Sequence, residues 1–226
     1  MNPMSEDADT RMLLRLMAWL SPSFPVGGFA YSGGLETAVH EGHVSSHRQL
    51  EEWLIVLLRN GSLWNDAVLL AEAYRSVGDS SRLAASAELA EALAGSAERH
   101  LEIVRQGGAF LAAAGSWPCP VLSLLDDATP YSVAVGAVAA SSGIPLAATL
   151  AAFLHSLASQ LISAAIRLGV TGQRQGVALL SRLEDVLAEQ AENAARSSLD
   201  DLGGAALIAD QMSLRHEIQL SRLFLS

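Results

Sequence analysis

His40, His43 and His47 place three imidazoles in one short stretch, with Glu36 one turn before the first of them. On a continuous helix such a set could face one transition metal such as nickel. Gly42 and a capping Ser46 interrupt that helix and no cysteine lies near, so solvated loop histidines are the competing reading. Cys119, between Pro118 and Pro120, is either an accessible soft ligand or a free buried thiol. His155 sits in an uncharged run and reads as a core or interface histidine, with a ligand or gate on an internal polar path as the alternative. His216-Glu217 begins like a zinc-protease helix, yet Leu220 stands where the second histidine belongs.

Nucleophiles are no better organised. No GxSxG elbow is present, and all fourteen basic residues are arginine, which removes Schiff-base chemistry and a lysine-bearing phosphate loop. With no complete catalytic set, a binding or scaffold protein is favoured over an enzyme. A formal charge of −10 argues against nucleic acid and toward basic partners. One cysteine makes no internal disulfide, and the first residues lack the basic-then-apolar pattern of a secretory signal, so a cytoplasmic location is expected.

The residues left to explain form a loop. Residues 21–36, SPSFPVGGFAYSGGLE, put Pro22, Pro25 and four glycines between two apolar helical patterns. Proline fixes φ and glycine admits positive φ or close approach, so the loop is shaped rather than merely flexible. Phe24, Phe29 and Tyr31 must pack under the domain or against a partner.

The elements around it read as helices. Leu13, Leu16, Met17 and Leu20 step at helical spacing as far as Ser21-Pro22. Leu35, Ala38 and Val39 share one face of a short helix, opposed by Glu36, Thr37 and His40, and Gly42 ends it. Ser46 with Gln49 makes a capping box for a helix burying Leu50, Leu54, Leu57 and Leu58. Helices follow over 63–77, 81–95, 97–114, 131–142 and 145–168, then one long surface helix past Gly172. Only Pro120–Leu125 is short and apolar enough for a strand. Arg215 and Arg222, seven apart on a helix, would face one way. Residues 128–166 carry no charged side chain. Their second part is long enough to span a bilayer, but its alanines, serines and His155 point to a helix buried in a bundle or oligomer. The fold class is all-α: a single-domain bundle of about eight to ten helices with a central uncharged helix, residues 1–10 a flexible lead and 213–226 a partly extended tail.

Three segments carry a resemblance. PVGGFAYSGGLE at 25–36, the central run from Tyr131 to Gly176, and SLRHEIQLSRLF at 213–224 together resemble the urease accessory protein UreF family, in the same order along the chain. The chain departs from the family pattern at Gly33, where a bulky polar residue is usual, and at Leu225, where arginine is. The resemblance implies a non-catalytic helical homodimer that bridges the urease-binding subunit UreD (or UreH) and the nickel-carrying GTPase UreG. It implies no resident cofactor, nickel only in transit, and no nucleic acid or membrane partner. Carried over by motif, the partner-contacting or supporting residues are Pro25, Gly27, Gly28, Phe29, Tyr31, Ser32, Gly34, Leu35 and Glu36 in the loop, with Arg215, His216, Glu217, Arg222 and Phe224 in the tail. The competing reading is an all-α scaffold or membrane-associated protein unrelated to urease.

Overall fold

Apolar residues at helical spacing organise the chain from end to end. The computed structural model describes residues 3–226 as α-helices, short 3-10 turns and connecting loops, with no strand among the described residues. The first helix, α1 (Pro3–Trp19), starts well before Leu13 and stops where Ser21 Oγ donates to the Ala18 carbonyl at 3.0 Å, ahead of Pro22. The lead expected to be flexible therefore falls within this helix from Pro3 onward, and its first two residues lie outside those described. Leu16 and Leu20 are buried as expected, but Leu13 and Met17 are 58% and 63% exposed. The buried arc is centred instead on Trp19, whose ring meets Phe110 and Trp117 edge-on at 6.2 and 5.7 Å.

Next come α2 (Leu35–His40), α3 (His47–Asn60), α4 (Ser62–Arg75), α5 (Ser80–Ala92) and α6 (Ala97–Ala114). Three of them start on a side-chain oxygen that accepts an otherwise unpaired amide. These caps are Ser46 for α3, Asp79 for α5 and Ser96 for α6. The return half of the predicted capping box lands one residue early, on the Ser45 amide, which donates to Gln49 Oε1 at 3.0 Å. Pro120–Leu124 winds into a 3-10 turn rather than a strand. Proline offers no amide to a ladder, and Ser123 Oγ donates back to the Pro120 carbonyl.

The core is built on α7 (Tyr131–Ser141), which is buried from Tyr131 through Ala139. It crosses α4 where Gly136 faces Leu70, so closely that a β-carbon at 136 would stand 2.3 Å from the Leu70 carbonyl oxygen. Beside it runs α8 (Leu146–Arg167), whose inner face carries Leu150, Phe153, Leu154, Ala158 and Ala165. The surface helix predicted past Gly172 is two, α9 (Gln173–Arg182) and α10 (Glu184–Arg196). A turn at Leu183, itself fully buried, re-aims the chain between them. α11 (Leu207–His216) then leads into an irregular tail. The residue 47–75 stretch and α8 are long and apolar enough to cross a bilayer, yet more than half of each is buried inside this fold, as core helices are.

Candidate functional site

The glycine loop is shaped at three of its glycines, by backbone angle or by close approach. Gly27 takes φ 72° ahead of the 3-10 turn Gly28–Ala30, and Gly28 lies against the Gln160 amide of α8. Gly34 takes φ 81° at the start of α2, with α11 so near that a β-carbon would stand 2.7 Å from the Ser213 amide nitrogen. Glycine at 34 is thus what lets α2 and α11 touch.

The tail returns over this loop and is fixed to it by its backbone. Leu225 N–H donates to the Ala30 carbonyl at 2.8 Å, and Ser32 N–H donates to the Ser226 carbonyl at 2.9 Å. Glu36, read from the sequence as outward-facing, is only 7% exposed. Its carboxylate accepts the amides of Leu223 and Phe224 at 2.7 and 3.0 Å and faces His216 Nε2 at 3.1 Å. Those donors explain its burial: a carboxylate leaves water when hydrogen bonds replace the ones it loses. Thr37, also expected outward, is buried and donates to Gln219 Oε1.

His216 is fully buried between two acids, with Glu98 Oε2 2.6 Å from Nδ1 on the opposite side. Two acceptors facing one ring require a proton on each side, carried by the ring or by a carboxyl. Arg222 reaches Glu98, and Glu217 accepts the Ala97 amide at 2.7 Å at the start of α6. Arg215 pairs with Glu41. The helix ends at His216, so Arg215 and Arg222 do not form the matched pair that their spacing suggested. Ser226 Oγ donates to buried Glu102, which also pairs with Arg99, and Arg99 bonds Asp66 of α4. Burial pushes the Asp66 carboxyl above its usual value, and its two acidic partners hold the Arg99 guanidinium charged. One polar network thereby joins α4, α6, the loop and the tail.

Beneath it lies a cavity of about 320 Å³ lined by Tyr31, Asp66, Arg99, Glu102, Gln160 and Asp210, among others. Partial burial raises the Asp210 carboxyl. Gln160 opens on this cavity, but His155 is exposed on the outer face of α8, not in the core. His40, His43 and His47 are exposed, and among the described residues no group of three or more His, Cys, Asp or Glu side chains is gathered to hold a metal. Cys119 is half-buried, its Sγ 4.0 Å from the Val138 carbonyl.

Beside charged side chains such as Arg215 and Glu217, the loop and tail leave several large apolar ones in water. Phe29, expected to need burial, is 72% exposed, because its place in the loop is set by its carbonyl, which accepts from Arg167. Ile218 is 80% exposed, Leu220 fully, and Leu223 and Leu225 more than half. Several exposed apolar side chains on one loop and tail are the raw material of a protein-docking surface.

Comparison with known proteins decides the kinship. The sequence model of UreF matches residues 44–184. The urease accessory protein UreF of Agrobacterium fabrum is 58% identical over 223 residues, covering 99% of this chain and 100% of that protein. Those of Sinorhizobium medicae and Rhizobium leguminosarum bv. viciae are 55% and 56% identical over the same span. The chain belongs to the UreF family. UreF proteins are accessory proteins, not enzymes, so the reading as an unrelated scaffold is set aside. Of the residues carried over from the UreF motifs, Gly28, Tyr31, Ser32, Gly34, Leu35, Glu36, His216 and Phe224 are buried. Pro25, Phe29, Arg215, Glu217 and Arg222 reach the surface, while Gly27 is half-buried. Sequence reasoning missed Glu98, Glu102, Arg167 and Ser226, because each acts through a contact more than 100 positions away in the chain.

Proposed function

We propose that this chain is a non-catalytic adaptor in urease maturation, working as a cytoplasmic homodimer. In this reading the loop and tail dock the urease-binding subunit UreD or UreH, another surface receives the GTPase UreG, and GTP hydrolysis is thereby coupled to nickel insertion. The carrying observation is the exposed set Ile218, Leu220, Leu223 and Leu225, the last two on backbone tied down by Glu36 and Ala30. Such side chains gain by leaving water against a partner, at about 25 cal/mol per Å² of apolar surface, and lose little mobility on binding because the backbone is already ordered.

Coupling to the GTPase requires only differential affinity. A chain that binds one nucleotide state of UreG better than the other shifts that equilibrium by the affinity ratio. The acidic charge of −10 favours fast encounter with basic surfaces. Nickel is cargo in this scheme, and the cavity that Gln160 and Asp210 help to line is where a path between the helices would run.

The test is Ile218→Asp with Leu220→Asp in the full-length chain. Both side chains are exposed, so the far-ultraviolet circular dichroism and Tm should stay at wild-type values while affinity for purified UreD or UreH falls about tenfold or more. Retained affinity would refute the docking role of the tail.

A further inference from the structure

Arg167, the last residue of α8, ends the long uncharged run and is partnered by no carboxylate among the described residues. Its guanidinium instead lies over the Phe224 ring, 4.1 Å from the centroid, and donates through Nη2 to the Phe29 carbonyl. One side chain thus holds the loop by its backbone and the tail by its buried aromatic. Between these two holds run the bonds from Leu225 to Ala30 and from Ser32 to Ser226.

We infer that Arg167 is the positioning residue that makes the loop and tail one docking unit, so that Phe29, Leu223 and Leu225 are presented as a fixed set. The inference rests on the docking reading above for its functional consequence. Arginine suits the role because its planar fork stacks on a ring and donates in its own plane at once. Lysine, a point charge with strong hydration, can keep the charge near the ring but cannot do both. Glu36 holds Leu223 and Phe224 from the other side, so loss of Arg167 should loosen the far end of the tail rather than release all of it.

Amide hydrogen exchange on the free, full-length chain tests this. In Arg167→Gln, exchange at Ser32 and Leu225 should rise roughly tenfold, exchange at Leu223 and Phe224 should change much less, and Tm should hold near wild type. Arg167→Lys should recover part of the protection, and Phe224→Leu should mimic the loss without adding to it in the double variant. Unchanged exchange at Ser32 and Leu225 in Arg167→Gln would overturn the inference. Affinity for UreD or UreH, measured on the same variants, separates the two ideas. Weaker binding with unchanged exchange makes Arg167 a direct contact and overturns its positioning role. Faster exchange with wild-type affinity keeps the positioning role and sinks the docking reading instead.

Discussion

Glycine 34 is the residue on which the loop and α11 meet, and it can be set against Gly28, two residues with the same side chain and different neighbours. At Gly28 an added methyl would meet the Gln160 amide at 2.3 Å, the free end of a side chain that can swing away. At Gly34 it would meet the backbone of Ser213 at 2.7 Å, and φ is 81° besides. Gly34→Ala should therefore cost more than about 2 kcal/mol and Gly28→Ala roughly 1 kcal/mol or less, with Gln160→Ala removing most of the latter cost. Denaturant unfolding of the three variants measures this, and equal costs would contradict the packing. Asp210 supplies a pH-dependent counterpart. A carboxyl whose folded pKa is raised favours the fold while protonated, below about pH 3.9, and loses that contribution as pH rises through the folded value. At neutral pH Asp210 thus weighs against folding, and Asp210→Asn should gain roughly 0.5 kcal/mol or less at pH 7, given solvent screening and its favourable place in the first turn of α11. The gain should disappear near pH 3. At this scale the sequence marked the right loop, since glycine and proline act locally. It misjudged Glu36 and Thr37, since the hydrogen-bond partners that bury them, amide donors for Glu36 and the Gln219 side-chain carbonyl acceptor for Thr37, arrive from the tail about 180 positions later.

Helices were legible wherever a cap or a periodic apolar face is written into neighbouring residues. Ser46, Asp79 and Ser96 cap as serine and aspartate do, and α6 and α7 begin within a residue of where their patterns predicted. Periodicity failed for α1, because it reports that a helix has an apolar face but not how much of that face finds a neighbour. Leu13, Leu14 and Met17 remain in water. Crossings between helices were hidden for the same reason. Gly136 looked like one more small residue in an alanine-rich run, yet it is the point where α7 touches the α4 backbone at Leu70. Gly136→Ala should cost more than about 2 kcal/mol, since the carbonyl it would strike belongs to a buried helix and cannot move alone. Calorimetry showing a wild-type Tm would mean that the helices are less closely packed than described.

The whole molecule combines a largely apolar interior, an acidic net charge and exposed apolar side chains on a tail that overlies the loop. Composition foretold the first two, because charge and hydropathy are sums over residues. The third depends on which of the tail's apolar side chains the fold hides. Phe224 is inside while Ile218, Leu220, Leu223 and Leu225 are outside, a division set by Glu36, His216 and Arg167. A molecule so built has surface to offer other proteins, which agrees with its place among the UreF proteins. Most direct as a test is nickel-dependent urease activity in cells that lack their own UreF-type chain and receive this one. The wild-type chain should restore activity, and the Ile218→Asp, Leu220→Asp chain, equally folded, should restore less than about a tenth of it. Equal restoration by the two chains would contradict the account.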